Sequence, residues 1–214
     1  IRFGLVAIKN IGRGFILSMM DQREKKGPFT SLRDFCERMV GTDINKRAVE
    51  NLIRSGAFDS LGARRSQLLK VYETVMDAVA ESHRENLEGQ MDFFSMAANN
   101  DEKSNSVKEI PLPDIPEFTP EELMTMEKAT TGLYLSGHPM DHYRDAVRKL
   151  HAPTIVSIIE DFSRENGPER FTDGQRITIA GVITSSKTKT TKNNSLMAYV
   201  MVEDDTASLE LLCF

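Results

Sequence analysis

The sequence has few cysteines and histidines and no long apolar run, and each scarcity excludes a class of protein. Its two cysteines, Cys36 and Cys213, lie far apart and outside any CxxC pair, which predicts reduced, inert thiols in a reducing compartment. No run of about 18 apolar residues and no leader with basic and then apolar residues is found, so we expect neither a membrane span nor a signal peptide. The four histidines have no metal-ligand spacing, and no Ser/His/Asp set or carboxylate pair suggests catalysis.

Positive charge is concentrated in the first third of the sequence. Residues 1–72 carry fourteen Lys and Arg against seven Asp and Glu, whereas residues 73–130 carry four against fourteen. From 131 to 214 the numbers are nine and eleven. Because a basic surface attracts polyanions, we expect a nucleic-acid partner for the first segment only.

Apolar periodicity and turn residues predict a multidomain chain of the α plus β class. Helical spacing dominates residues 1–86, and period-two alternation with β-branched residues after about 171 predicts three strands, "RITIAGVITSS", "LMAYVMVED" and "ASLELLCF". Between them, residues 87–118 are polar, acidic and proline-rich, which is typical of a linker. Residues 119–170 are predicted as a helical connector, which starts with Pro120 as the first helical residue.

The stretch "IKNIGRG" places two glycines directly before a predicted helix. Backbone N–H groups at a helix N-terminus favour a phosphate, and glycines let a sugar-phosphate chain approach closely. We expect Leu5 and Ile8 to pack against Ile11 and Ile16, so that the segment forms a helix-hairpin-helix; a plain helix connector is the alternative. The candidate DNA-binding residues here are Lys9, Asn10, Ile11, Gly12, Arg13 and Gly14.

A second helix pair follows about 30 residues later. It consists of "SLRDFCERM", the turn "VGTDIN" and "KRAVENLIRSGAF", and it lacks the paired glycines. Lys46, Arg47 and Arg54 are its candidate phosphate partners. Two such hairpins would contact both backbones of a duplex without reading its sequence.

Four stretches in series, "IRFGLVAIKNIG", "INKRAVENLIRSGAFDSLG", "GLYLSGHPM" and "VEDDTASLELLCF", resemble the region after the fingers in the family of DnaE-type α subunits of bacterial DNA polymerase III. The resemblance implies a tandem helix-hairpin-helix that grips product duplex DNA, followed by the start of an OB-fold β-barrel near single-stranded template. It also implies a cytoplasmic replisome protein with other replisome subunits as partners. The family's palm, which uses Mg²⁺ in the full polymerase, is not recognisable here, so no cofactor and no activity are expected of this chain alone.

The predicted linker contains "QMDFF", which resembles the Q-x-x-hydrophobic-Phe peptide by which bacterial polymerases bind the sliding clamp. An extended peptide would insert its aromatic rings into an apolar pocket while the glutamine amide fixes the register. The alternative is that Phe93 and Phe94 pack on the chain's own helices. The candidate clamp-binding residues are Gln90, Met91, Asp92, Phe93 and Phe94.

Three lysines, Lys187, Lys189 and Lys192, crowd the predicted loop "SSKTKTTKNNS" between the first two strands. In an OB-fold this loop commonly contacts nucleic acid, although a solvated hairpin tip has the same composition. Tyr199 is a candidate for stacking on a base, but strand alternation alone does not assign its face.

Two other classes of function compete with the polymerase segment. A helix-hairpin-helix repair enzyme such as a glycosylase would use Lys9 or Lys46 as nucleophile and form a borohydride-trappable adduct with damaged DNA. A pure interaction scaffold would use the hairpins structurally and show no salt-dependent DNA binding.

Overall fold

The computed structural model describes residues 4–93 and 110–214, which belong to two compact units, Ile1–Ser136 and Gly137–Phe214. The first unit is helical, as predicted, and contains α1 (Arg13–Lys26), α2 (Leu32–Met39), α3 (Lys46–Arg54), α4 (Arg65–Phe93) and α5 (Pro120–Thr131). The second unit contains α6 (Arg144–Leu150), α7 (Ile155–Phe162) and the strands β1 (Val182–Thr190), β2 (Leu196–Glu203) and β3 (Ser208–Cys213). No helix in the described parts of the chain is both long and apolar enough to cross a membrane.

Short polar side chains cap the N-termini of several helices. The side-chain Oδ1 of Asn45 accepts a hydrogen bond from the Ala48 N–H at 2.9 Å and so caps α3. Thr119 and Glu122 form a reciprocal capping box at the start of α5, which satisfies two N–H groups that have no partner within the helix.

The core of the first unit forms around Phe35 of α2, which is 1% exposed. Three aromatic rings meet it edge-on, with centroid distances of 6.3 Å to Phe15, 5.0 Å to Phe29 and 4.9 Å to Phe58. The apolar rows of α1, α3 and α4 close around this group, so the two predicted hairpins share one core with the first half of α4.

A buried ionic cluster joins α5 to the start of α4. Glu127 is fully buried, and its Oε1 accepts hydrogen bonds from both terminal nitrogens of Arg65 at 3.1 Å. Its Oε2 accepts the N–H groups of Leu135 and Ser136 at 2.8 and 2.9 Å. Arg65 also donates to both oxygens of Asp59, at 2.9 and 2.6 Å, so every oxygen of this cluster has a partner.

The predicted linker is more structured at both ends than its composition indicates. We expected it to begin at residue 87, whereas α4 continues to Phe93. The stretch "ENLEGQ" contains one glycine, but its Glu, Leu and Gln are good helix formers and it has no proline that would end the helix. At the other end, Glu117 accepts the N–H groups of Arg65 and Ser66 at 2.7 and 2.9 Å and thereby caps α4. Burial raises the pKa of Glu117, but these N–H donors outweigh it and lower the pKa below its usual value.

The second unit holds a three-stranded antiparallel sheet in the order β1-β2-β3, as three predicted strands require. The first strand lies further along the chain than predicted: β1 runs from Val182 to Thr190, so Lys187 and Lys189 lie in the strand and not in a loop. The reason is that Thr and Lys alternate here with period two, and an exposed strand accepts such a pattern when it pairs with a neighbour. Of the three lysines only Lys192 lies in the turn between β1 and β2.

Helix α7 is fixed at both ends by buried carboxylates. Asp204, in the turn between β2 and β3, accepts the Ile155 N–H at 2.7 Å and so caps α7 from 49 residues away. At the other end Asp161 accepts the N–H groups of Arg170 and Phe171 at 2.8 and 2.9 Å. Burial raises the pKa of Asp204, but the N–H and hydroxyl groups that donate to its carboxylate lower the pKa by more than burial raises it. The pKa therefore lies below its ordinary value.

Candidate nucleic-acid interface

The first hairpin consists of a short helix, a tight loop and α1. The first helix is a single 3-10 turn, Leu5–Ala7, and the loop bends through Asn10, whose φ is 63°. Ile8 and Ile11 are buried in the same core as Ile16, which agrees with the expected packing of the hairpin.

The N-terminus of α1 is open to an approaching ligand. Gly12 is its N-cap residue and provides no side-chain cap, so the N–H groups of the first turn have no acceptor within the helix. The backbone of Gly12 is extended, with φ −77° and ψ 152°, and a Cβ built there would meet no atom within 4 Å. The fold therefore does not require glycine at this position, and none of the described residues would contact a Cβ added there.

The loop is held from two sides by parts of the chain that lie far away in the sequence. The Lys9 N–H donates to the Thr130 carbonyl at 2.9 Å, and Lys9 Nζ donates to the Ala129 carbonyl at 2.7 Å, so the ammonium caps the C-terminus of α5. From the other side, Asn51 Nδ2 of α3 donates to the Lys9 carbonyl at 2.7 Å. Lys9 is thus engaged with the protein itself.

In the second hairpin the predicted cations have different surroundings. Lys46 Nζ bonds to Asp77 of α4 at 2.9 Å and lies 3.9 Å from Glu73; the hydrogen bond with Asp77 raises the pKa of Lys46. Arg54 pairs with Glu50 at 2.8 Å. Arg13 and Arg47, by contrast, are exposed and have no hydrogen-bond or ion-pair partner among the described residues.

The N-termini of α1 and α3 are neighbours. A Cβ built on Gly14 would lie 3.9 Å from Asp43 Oδ2, and Asp43 stands two residues before the N-cap of α3. The exposed carboxylate of Asp43, in the loop before α3, therefore lies beside the first turn of α1, where the helix end is positive. The loop anchors Asn51 and Thr130, like Asp43 itself, were not among the predicted site residues, because no local pattern identifies them.

In the second unit, strand register assigns Tyr199 to a face. Tyr199 lies opposite Lys187, and Lys189 lies opposite Met197, so the two lysines and Tyr199 share one side of the sheet. Lys189 Nζ lies 5.0 Å from the Tyr199 ring centroid. Val202, which is 7% exposed, faces the other side.

The predicted clamp motif is only partly within the described residues. The backbone from Gln90 to Phe93, including Met91 and Asp92, is helical as the end of α4, which differs from the expected extended conformation. Phe94 lies outside the described residues.

The metal-binding side chains in the described ranges do not gather into a site: no group of three or more His, Cys, Asp or Glu is placed to hold a metal ion. His138 has a local role, because its Nδ1 accepts the Met140 N–H at 3.1 Å and caps a 3-10 turn.

Comparison with known proteins agrees with this architecture. Residues 1–68 match the family model of the helix-hairpin-helix motif. The whole chain is 35% identical to a DNA polymerase III subunit alpha of Saccharopolyspora erythraea, of which it covers 17%. It is 33% identical to that of Deinococcus radiodurans, also over the full chain, and 36% identical over 99% of the chain to that of Chlamydia pneumoniae.

The chain spans only 16–17% of the length of these curated relatives. The match covers 99–100% of the chain, and it therefore includes both hairpins and all three strands. Over its whole length the chain is therefore similar to one segment of DNA polymerase III α subunits, and within that segment residues 1–68 match a helix-hairpin-helix motif.

Proposed function

We propose that the first unit binds product duplex DNA through its phosphates, without sequence preference, as part of DNA-directed DNA replication. The observation that carries the proposal is that exposed Arg13 and Arg47, which have no partner among the described residues, stand in the first turns of α1 and α3. Backbone N–H groups and guanidinium groups both suit phosphate oxygens, and neither reads bases.

Gly12→Val tests this proposal cleanly. Valine adopts the extended backbone of Gly12 without strain, and its Cβ would meet no atom of the described residues within 4 Å, so the variant should fold like the parent. It should nevertheless bind a duplex more weakly, because its side chain occupies the space before α1. Fluorescence anisotropy with labelled duplex measures the affinity.

Gly4→Val is the matched control. Gly4 has an equally extended backbone, with φ −80°, and equally open surroundings, but it precedes the first helix instead of the hairpin loop. Equal affinity of the parent and Gly12→Val would leave the hairpin as a connector only. Binding of the parent that does not weaken with salt would also contradict the proposal, since phosphate contacts release counterions.

For the segment Gln90–Phe94 we propose binding to the sliding clamp. The motif supports this role, and so does the similarity of the chain to DNA polymerase III α subunits. Among the α4 residues up to Glu85, Val79 is the last one in the core of the first unit, and Glu81, His83 and Glu85 are exposed. Clamp binding would uncoil the end of the helix and insert the two phenyl rings into an apolar pocket.

Isothermal calorimetry with the peptide "EGQMDFFSM" and purified clamp tests this second role. Phe93→Ala or Phe94→Ala should each cost about 2 kcal/mol, and Gln90→Ala somewhat less, because buried aromatic anchors dominate such interfaces. Met91→Ala is the control, since that position has no fixed residue type in the motif. No binding by the peptide, together with full clamp affinity of the Phe94→Ala chain, would contradict the assignment.

We propose that the three strands are the first strands of an OB-fold. The face of the sheet that carries Lys187, Lys189 and Tyr199 would contact single-stranded template, and Lys192 would contact it from the turn between β1 and β2. Stacking on an aromatic ring contributes about 1–3 kcal/mol per base. Tyr199→Ala should therefore weaken binding of oligo(dT), while Val200→Ala on the opposite face should not change contacts to DNA.

Nucleotide addition, Mg²⁺ use and contacts with other replisome subunits in the bacterial cytoplasm are proposals about the full-length polymerase. For the 214-residue chain alone we propose no catalytic role. Template-dependent primer extension by the purified chain would overturn this, and a borohydride-trapped adduct at Lys9 or Lys46 would favour a glycosylase instead.

A further inference from the structure

We infer that Lys9 and Asn51 are positioning residues of the first hairpin, and that the phosphate-contacting cations are Arg13 and Arg47. This inference rests on the proposed duplex binding and names the residues that serve it. It separates cations that contact DNA from cations that hold the protein in shape.

The geometry of Lys9 supports a positioning role. Both its N–H and its Nζ donate to the last carbonyls of α5, at 2.9 and 2.7 Å, where the helix end is negative. A phosphate would have to compete with this contact. Lys46 is similar, since Asp77 and Glu73 of α4 already neutralise it.

Asn51 connects the two hairpins. It lies on α3, is 9% exposed, and its amide donates at 2.7 Å to the carbonyl of Lys9 in the first hairpin loop. Because α3 starts beside the N-terminus of α1, this bond fixes the loop relative to the second hairpin. Asn51 itself is too buried to act as a phosphate ligand, so any effect of its substitution on DNA contacts must act through the loop.

The test compares the salt dependence of duplex binding in Asn51→Leu, Arg13→Gln and the parent chain. Arg13→Gln should lower the slope of log K against log salt by about 0.9, the value for one phosphate contact. Asn51→Leu removes no charge, yet it should lower the slope by a similar amount because the loop and Arg13 lose their position. In the double variant the two effects should not add.

Ser55→Ala is the matched control. Ser55 is 7% exposed and caps the same helix, but its hydroxyl bonds only locally, to the Leu52 carbonyl at 3.0 Å. We expect Ser55→Ala to keep the parent slope. An Asn51→Leu slope equal to that of the parent, or fully additive effects with Arg13→Gln, would overturn the inference.

Amide hydrogen exchange without DNA gives an independent readout. Asn51→Leu should accelerate exchange of the Lys9 amide several-fold, and Ser55→Ala should not. If Asn51→Leu fails to fold, Lys9→Met replaces it, because residue 9 is exposed and the substitution should be tolerated. We expect the same acceleration of exchange at the amide of residue 9. Unchanged exchange would refute the positioning role. Salt-independent binding by the parent would refute the proposed function instead, and the exchange result would then still decide whether Asn51 and Lys9 position the loop.

Discussion

Replacing Glu127 with glutamine should destabilise the first unit far more than its conservative size suggests. The glutamine side chain has the same shape but presents one amide nitrogen where a carboxylate oxygen was. Every contact of that carboxylate is with a donor: Arg65, Leu135 and Ser136. Whichever way the amide turns, it therefore faces a donor and leaves buried groups unpaired.

The magnitude follows from the surroundings of Arg65. Removing one partner of a buried ion pair costs about 3–5 kcal/mol. Arg65 keeps both bonds to Asp59, and the glutamine oxygen keeps one acceptor, so the lower limit of about 3 kcal/mol applies. For a chain of this size that corresponds to a decrease in Tm of about 6–12 °C.

Urea unfolding followed by far-ultraviolet circular dichroism measures the free energy of unfolding, and Asp59→Asn is the comparison variant. Asp59 binds the same arginine, but its side chain is 52% exposed, so its loss should cost about 1 kcal/mol or less. If Glu127→Gln is no more destabilising than Asp59→Asn, burial does not govern the strength of this cluster and the reasoning is wrong.

Three further outcomes are expected. Asp43→Asn should raise duplex affinity about twofold to fivefold, because it removes a negative charge beside the N-terminus of α1; an anisotropy titration at low salt that gives weaker binding would contradict this. Thiol titration at pH 8 should count only Cys213 in the native chain and both cysteines in denaturant, because burial, with a smaller effect of Glu37, raises the pKa of Cys36 to about 12. The folded pKa of Asp204 lies below its unfolded value. Its contribution to stability is therefore complete above about pH 4 and is lost as pH falls through the folded pKa. In unfolding measurements Asp204→Asn should lower the stability at pH 7 and make the stability less dependent on acid pH, and an unchanged pH profile would refute this role.

The sequence by itself determined the elements whose causes are local. The caps at Asn45 and Thr119 act within three residues, so the starts of α3 and α5 could be read directly. Period-two alternation likewise indicated three strands, and the stretch from Ile8 to Gly14 indicated the hairpin that the family model matches. Where β1 was misplaced, the local pattern "KTKT" suited both a strand and a charged loop, and only pairing with β2 decided between them.

Tertiary structure decided what the charged side chains do. Lys9 bonds to a carbonyl 120 residues away, Lys46 to a carboxylate 31 residues away, and Asp204 to a helix end 49 residues earlier. Whether a lysine is available to a phosphate depends on which acceptors packing brings near it, and a sequence window contains no information on such distant neighbours. Composition could therefore identify a basic segment. Only the packing of α4 and α5 against the two hairpins showed that Lys9 and Lys46 bond to the protein itself, whereas Arg13 and Arg47 are exposed.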